Sequence, residues 1–288
     1  KALSGFYYIK DGSAVIECRA RGKFRLDGTS PLVGDRVTYE PLGKGKGQVG
    51  KIAERRNWFI RPAVANVDCL VFVAANTFPV TDPFLIDRVS VITEESDCEL
   101  LLCINKTDLD PAEQLREIYR STGYQVICTS AETGEGIDEL RMALKGKISA
   151  FTGNSGVGKS SILNALNPEF RIRTDEISTH LGRGKHTTRH VELYSLDDTT
   201  FLADTPGFAS FEIEMIRDVS KENLAFDFPE FRRCIGHCRF HDCAHLKEPD
   251  CAVTQAVAEG KIHPSRYDSY QKLYELTAQH KPWEIKEK

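Results

Sequence analysis

Gly153-Asn154-Ser155-Gly156-Val157-Gly158-Lys159-Ser160 is the stretch that decides the fold of this 288-residue chain. It fits the spacing G-x-x-x-x-G-K-[ST], between a strand-like run at 147–151 and a helix-like run at 161–166. The glycines let backbone N–H groups turn toward phosphates, and the start of the helix adds positive potential. We predict a phosphate-binding loop in which Lys159 reaches the β- and γ-phosphates of a nucleotide and Ser160 ligates Mg²⁺.

A second motif, Asn105-Lys106-Thr107-Asp108, ends the apolar run 100–104, where open α/β sheets carry ligand loops. Guanine presents N1–H and N2–H₂ side by side, so the Asp108 carboxylate can accept both bonds, whereas adenine would leave it unpaired. We expect Asn105 to hold the base edge and neighbouring loops, and the Lys106 stem to lie over the ring. Alone, so short a motif is also compatible with a helix-capping turn, but beside a phosphate loop it favours a guanine site.

Two further motifs flank these loops. Ser130 and Ala131 follow the strand-like run 124–128 and are expected to supply a backbone contact to the guanine carbonyl. Asp204 and Gly207 belong to the sequence D-T-P-G, in which Asp204 would hold Mg²⁺ through water and the Gly207 amide would face the γ-phosphate. The set resembles that of the TRAFAC-type GTPases, except that the guanine-reading motifs precede the phosphate loop. That order indicates a circular permutation, which is feasible because chain ends often lie close together.

The polar segment 183–189 lies between the phosphate loop and Asp204 and suits a mobile switch whose threonine ligates Mg²⁺. Thr187 and Thr188 both qualify for that role, and an ordinary solvated loop is the alternative. Phe208 stands where many GTPases have a water-orienting glutamine nearby, so unassisted hydrolysis should be slow. His186 is a candidate for positioning the water, with a solvated histidine as the alternative.

The pattern along the chain predicts three domains. Residues 1–62 alternate short β-type runs with Gly-rich turns, typical of an antiparallel β-barrel of the OB-fold type. Residues 63–218 contain unbroken apolar runs separated by helical segments, which predicts a three-layer α/β domain with a parallel sheet. Residues 219–288 lose the strand signal and predict a mainly α-helical, cysteine-rich module.

Charge is distributed unevenly over these segments. Residues 1–62 carry 13 basic and 6 acidic side chains, a net charge of +7, whereas residues 63–218 carry 14 and 25, a net charge of −11. Residues 219–288 are neutral, with 11 of each. A basic barrel favours nucleic-acid binding. The densest basic stretch of the barrel comprises Lys44, Lys46, Lys51, Arg55 and Arg56. The aromatic side chains of Phe24 and Trp58 could stack on bases or belong to the core.

Composition indicates a cytoplasmic protein. No apolar run approaches the roughly 20 residues that span a bilayer, and the first residues lack the apolar core of a secretory signal. Several of the nine cysteines, such as Cys69 and Cys103, lie in apolar strand-like runs, as buried free thiols do.

The remaining cysteines form a cluster with histidines between residues 234 and 251. In a cytosolic protein such clustering favours zinc over disulfides. The tightest set of four donors is Cys238, Cys243, His245 and Cys251, which predicts one structural Cys₃His zinc site. Cys234, His237 and His241 would then be bystanders. The alternatives are a patch of free thiols and a catalytic zinc, which four protein ligands would leave without an open position.

The combination of a basic OB-like module, a permuted GTPase and a Cys₃His segment resembles the ribosome small subunit-dependent GTPase A family over essentially the whole chain. The resemblance rests on residues 105–108, on residues 153–160 with Ser161, on residues 184–188, on residues 204–207 and on the four zinc donors. It implies a monomeric protein that binds the small ribosomal subunit and its rRNA during late maturation and hydrolyses GTP when the subunit stimulates it. Arg189 departs from the family pattern, which often has a further threonine there.

Two rival functions remain open at this level. The first is a signalling-type GTPase switch that docks a protein partner through its zinc module, with a merely structural barrel. The second is an ATPase. RNA binding and stimulation by ribosomal subunits distinguish the signalling switch from the function that the family resemblance implies. The nucleotide preference of an Asp108→Asn variant tests the ATPase alternative.

Overall fold

The structure, a computed structural model, describes residues 1–3, 5–22, 24, 29–59, 63–172, 192–204 and 219–278. Of Asp204 and Ala278 it describes the backbone alone. The predicted switch residues His186, Thr187 and Thr188, together with Gly207, lie outside the described residues.

The N-terminal segment forms a five-stranded sheet in the order β1-β2-β3-β5-β4. Its strands are β1 (Ala2–Leu3), β2 (Phe6–Asp11), β3 (Ala14–Ala20), β4 (Val37–Gly43) and β5 (Lys46–Ile52). Three of the pairings are antiparallel, as predicted, and the β3–β5 pairing is parallel. Tight glycine turns make the hairpins possible, because Gly12, Gly43 and Gly45 all adopt positive φ. A short hairpin, β6 (Trp58–Phe59) and β7 (Val64–Ala65), follows the sheet.

The central domain is built on a six-stranded sheet in the order β10-β9-β8-β11-β13-β12. The strands are β8 (Cys69–Ala75), β9 (Glu99–Asn105), β10 (Gln125–Cys128), β11 (Ile148–Thr152), β12 (Glu192–Ser195) and β13 (Phe201–Asp204). All are parallel except the edge strand β12. The prediction that the apolar runs are strands buried on both faces is confirmed, since all seven residues of β8 are buried.

Helices cover both faces of this sheet. Leu70, Phe72 and Ala74 of β8 pack with helices α1 (Pro83–Glu95) and α2 (Glu113–Tyr119). Cys69, Val71 and Val73 point to the other face and pack with α3 (Ile137–Leu144) and α4 (Lys159–Leu166). The sheet is therefore the middle layer of a three-layer sandwich. Because β9, β10, β11 and β13 run parallel, the strand ends that carry predicted motifs lie at one edge of the sheet.

The C-terminal segment, described over residues 219–278, contains helices α5 (Ala252–Ala258) and α6 (Pro264–Ala278), a 3₁₀ turn at Pro229–Phe231 and no strand. Its apolar side chains form a core with Val91 of α1. Among the helices of the described segments, none combines the length and apolar character that a bilayer crossing requires.

A buried ionic cluster joins α6 to α1. The fully buried Arg266 donates to Asp87 Oδ1 (2.7 Å) and to both oxygens of Glu230 (2.7 and 3.2 Å). The Tyr119 hydroxyl also donates to Asp87 Oδ1 (2.7 Å). Two carboxylates on different elements therefore depend on one guanidinium for their neutralisation.

A second acidic contact lies at the C-terminal end of α1. Asp227 is buried, and burial, with a smaller contribution from Glu95 and Glu94 of α1, raises the pKa of its carboxyl to about 8. Arg232 pairs with Glu94 at 2.5 Å and partly offsets this effect. Protonated Asp227 is thus the form that the packing of this module favours at neutral pH.

Candidate functional site

The phosphate loop connects β11 to α4, as its spacing predicts. Gly153, Gly156 and Gly158 adopt φ of 133°, 82° and 97°, a region that side-chain-bearing residues rarely occupy. A Cβ at Gly153 would overlap the Val73 carbonyl oxygen. Val157 is fully buried and anchors the loop, while Ser155 is exposed beside Asn154. The loop backbone can take this course only with glycine at these positions.

The basic and hydroxyl side chains of the loop lie at the start of α4. Lys159 is its first residue, and its ammonium donates to the carbonyl oxygens of Gly153 (2.7 Å) and Asn154 (2.9 Å). Ser160 and Ser161 follow in the first turn, both half-buried. The lysine is therefore held across the mouth of the loop, where a phosphate approaching the helix N-terminus would meet it.

Asn105 ties the guanine-reading loop to its neighbours. Its amide nitrogen donates to the Val157 carbonyl oxygen in the phosphate loop (2.9 Å). Its amide oxygen accepts from the Ala131 backbone N–H (3.1 Å). A Cβ at Gly158 would overlap the same amide nitrogen. One buried side chain thus fixes the spacing between the predicted phosphate site and the predicted base site.

The other motif residues are held in place around it. Ser130 Oγ donates to Asp108 Oδ1 (2.6 Å), which orients the carboxylate while both of its oxygens keep acceptor capacity for a ligand. The Thr107 backbone N–H donates to the Thr129 carbonyl oxygen (3.1 Å). Lys106, at φ 66°, donates from its ammonium to the Phe78 carbonyl oxygen (2.9 Å). The three loops therefore converge at the carboxyl edge of the sheet, with acceptors suited to a guanine edge.

Asp204 ends β13 at the same edge. Its backbone pairs in parallel register with Phe151, two residues before the phosphate loop begins. This register brings the backbone of Asp204 next to the strand that leads into the phosphate loop, although Asp204 and that loop are about 50 residues apart in sequence.

The four predicted zinc donors converge on one point. The donor atoms of Cys238, Cys243, His245 and Cys251 all lie within 4.8 Å of one another. Nδ1 of His245 is 3.5 Å from the Sγ atoms of both Cys238 and Cys251, and these two sulfur atoms are 3.9 Å apart. Zinc bonds of about 2.3 Å to sulfur and about 2.0 Å to nitrogen give tetrahedral edges of roughly 3.8 and 3.5 Å. The donor set therefore fits a tetrahedral zinc ion.

The surrounding loop supports these donors. The Glu248 carboxylate accepts the backbone N–H groups of Ala244, Leu246 and Lys247 (2.8–3.1 Å). The Tyr267 hydroxyl donates to the His245 carbonyl oxygen at 3.0 Å. Burial lowers the pKa of His245, which favours the neutral imidazole that binds metals. Burial also raises the pKa of Cys243 to about 12, so the thiolate needs a cation beside it.

The basic stretch of the barrel divides into two groups. Lys44, Lys46 and Lys51 are exposed on β5 and on the turn before it. Arg55 is instead committed to Asp35, which it contacts at 2.7 and 2.8 Å with 14% of its side chain exposed. Arg56 binds Asp68 (2.8 Å). Arg55 is thus tied to the segment before β4, and Arg56 to the residue that precedes β8.

Sequence reasoning missed Arg266 and the loop at residues 76–81. Arg266 has no motif around it, and its partner Asp87 lies 179 residues away. The loop directly follows the buried strand β8, so the rule that ligand sites lie at carboxyl strand ends would have singled it out.

Comparison with known families and proteins agrees with this geometry. The RsgA GTPase family matches residues 52–214, and the RsgA N-terminal domain matches residues 1–49. A Bacillus cereus protein named small ribosomal subunit biogenesis GTPase RsgA is 43% identical over 288 residues, covering 98% of this chain and 97% of that protein. A protein of the same name from Caldanaerobacter subterraneus subsp. tengcongensis is 45% identical over 273 residues, covering 94% and 91%.

Two solved structures have the same fold. The crystal structure of YjeQ from Thermotoga maritima superposes with a TM-score of 0.80 at 38% identity, covering 96% of each chain. The structure of YloQ, described as a circularly permuted GTPase, superposes with a TM-score of 0.79 at 39% identity, covering 98% of this chain and 94% of that one. The order of motifs in this chain is therefore that of a permuted GTPase.

Proposed function

This chain belongs to the RsgA GTPase family, and from that membership we infer that it is a GTPase acting in biogenesis of the small ribosomal subunit. The observation that carries the proposal is the Asn105 side chain, which holds the guanine-reading loop against the phosphate loop through Val157 and against Ala131. A bond network of this kind presets the distance between base and phosphates before a nucleotide arrives.

The site residues have the following proposed roles. Asp108, oriented by Ser130, accepts the N1–H and N2–H₂ groups of guanine. The backbone N–H groups of residues 153–158 cradle the β-phosphate, and Lys159 neutralises charge that develops on the transferred phosphoryl group. Ser160, Asp204 and one of Thr187 and Thr188 would hold Mg²⁺, which supplies further charge neutralisation. His186 and Gly207 keep their proposed parts at the attacking water and the γ-phosphate.

We propose that the four C-terminal donors hold one structural zinc. The three distances among Cys238 Sγ, Cys251 Sγ and His245 Nδ1 match tetrahedral edges, and four protein ligands close the coordination sphere. The zinc donors Cys238, Cys243 and Cys251 belong to or pack against the core that the C-terminal module shares with α1, far from the phosphate loop in sequence. The role of the zinc is therefore to fold the C-terminal module.

The partner is proposed to be the small ribosomal subunit with its rRNA, in the cytoplasm. The exposed Lys44, Lys46 and Lys51 give the barrel a group of cations that attracts phosphates, and Trp58, nearby in sequence, exposes 39% of its surface. The subunit supplies or completes the hydrolytic machinery, so GTP turnover rises when it binds. We also propose that the protein acts as a monomer.

A GTPase assay with purified ribosomal subunits tests this function. Small subunits should raise GTP turnover by at least tenfold, an effect smaller than other GTPase activators reach. Large subunits serve as the control. Equal turnover with no subunit, the small subunit and the large subunit would favour the signalling-type switch that docks a protein partner.

A further inference from the structure

The loop between β8 and α1, residues 76–80, lies beside the guanine-reading loop and is hydrogen-bonded to it. Its base is closed by Thr81, whose backbone N–H donates to the Ala75 carbonyl oxygen (2.9 Å) and whose buried hydroxyl accepts from the Ala75 N–H (3.0 Å). The loop therefore begins and ends at one fixed point beside the carboxyl end of β8. No motif of the sequence analysis includes it.

Two hydrogen bonds tie this loop to the guanine-reading loop. The Lys106 ammonium donates to the Phe78 carbonyl oxygen (2.9 Å). The half-buried Asn76 donates from its amide nitrogen to Asp110 Oδ1 (2.8 Å), an oxygen that also accepts the Ala112 backbone N–H (2.7 Å). Asp110 lies two residues after Asp108, so Asn76 holds the far end of the segment that carries the specificity carboxylate.

The guanine-reading loop needs this support because its backbone is not in a relaxed conformation. Lys106 has φ 66°, in the left-handed region that non-glycine residues enter at a cost. The phosphate-loop side is held by Asn105 and the opposite side by Ser130. The side facing residues 76–80 is held by Asn76 and by the Phe78 carbonyl oxygen.

We propose that Asn76 is a positioning residue for guanine selectivity, acting through Asp110 on the loop that presents Asp108. The proposal rests on the proposed role of Asp108 as the guanine reader. Two hydrogen bonds to one base edge tolerate little displacement, so a loop that shifts by a fraction of an ångström loses part of the discrimination between bases. Asn76 itself does not touch the base in this account.

The test compares nucleotides that differ at one group. Inosine diphosphate lacks the exocyclic amine of GDP, so the ratio of the two dissociation constants measures how well Asp108 meets that amine. We expect Asn76→Ala to weaken GDP binding roughly fivefold and inosine diphosphate binding less than twofold, as loss of one charge-assisted hydrogen bond would. Displacement of a fluorescent GDP analogue from the full chain, with ADP as a third competitor, gives all three constants.

Three variants make the result decisive. Gln255→Ala removes a comparable amide-to-carboxylate bond, to Glu259 (2.9 Å), on an exposed helix of the C-terminal module, and should leave the ratio unchanged. Asn76→Asp places a like charge opposite Asp110 and should lower the ratio further than Asn76→Ala. The double variant Asn76→Ala/Asp110→Ala should lose no more selectivity than Asp110→Ala alone, because Asp110→Ala already removes the bond to Asn76 together with the bond to the Ala112 N–H.

An unchanged ratio of GDP to inosine diphosphate affinity in both Asn76 variants would overturn the positioning role, even if both nucleotides bound more weakly. Additive losses in the double variant would also overturn it. Failure of the wild-type protein to prefer GDP over ADP is a different result, which would refute guanine specificity and hence the proposed function.

Discussion

Replacement of the buried Arg266 by methionine tests how the C-terminal module is attached. The guanidinium, with no exposed side-chain surface, pairs with Asp87 and Glu230, whose side chains are 0% and 2% exposed. Arg266→Met keeps most of the volume but leaves two buried carboxylates without a counter-charge. Removing one partner of such a network costs about 3–5 kcal/mol. We expect a loss of unfolding free energy at the upper end of this range, because one substitution leaves both carboxylates without a counter-charge.

Hydrogen exchange measured by mass spectrometry reports this loss of stability separately for each segment of the chain. Amides of α6 should lose roughly 10²- to 10⁴-fold in protection, the equivalent of that free energy. Arg116→Met is the matched control, since its pair with Glu113 is exposed, at 52% and 75%, and should leave protection unchanged. A loss below tenfold in Arg266→Met would show that the cluster contributes no more than a surface ion pair.

Three further outcomes follow from the described contacts. Cys251→Ser should abolish the single bound zinc and unfold the C-terminal module, whereas Cys234→Ser should retain the metal; elemental analysis and circular dichroism check both. In urea titrations, the free energy of unfolding of Asp227→Asn relative to that of the wild-type protein should rise from pH 6 to about pH 8 and then level off. The folded wild-type protein keeps a proton there that its unfolded chain releases near pH 4. Gly158→Ala should lose GDP binding in a displacement assay, because the added Cβ would overlap the Asn105 amide. Gly260→Ala should keep GDP binding, because Gly260 also has positive φ but an added Cβ there would meet no other atom.

The motifs that could be predicted from the sequence are those whose chemistry is local. The phosphate loop needs a set of glycines and one lysine within eight positions, and the zinc donors span only residues 238–251. Both patterns can be recognised before any long-range contact is known. The prediction of a parallel sheet succeeded for a similar reason, because β8 and β9 are long apolar runs that only burial on both faces explains.

The contacts that sequence reasoning missed join distant positions. Asn76 meets Asp110 across 34 residues, and Arg266 meets Asp87 across 179. Nothing local distinguishes these side chains from solvated ones. The same limit explains Arg55, which was grouped with the nucleic-acid-binding residues by charge but is occupied by Asp35. Charge counts indicate which domain is basic, whereas the fold decides which of its cations are free to bind a partner.

The assignment of domain boundaries at residues 62 and 218 stays a prediction. The C-terminal module shares a core with Val91 and an ionic cluster with Asp87, both on α1. These contacts attach it to the helix that follows the loop at residues 76–80.

The most direct test of the central claim is the nucleotide preference of subunit-stimulated hydrolysis in Asp108→Asn. Xanthine carries a carbonyl where guanine carries the N2 amine, so an asparagine amide can donate to it while still accepting from N1–H. With small ribosomal subunits present, the wild-type protein should hydrolyse GTP in preference to xanthosine triphosphate, and Asp108→Asn should reverse that order. Unchanged preference for GTP in the variant would contradict the assignment of Asp108, and with it the guanine site.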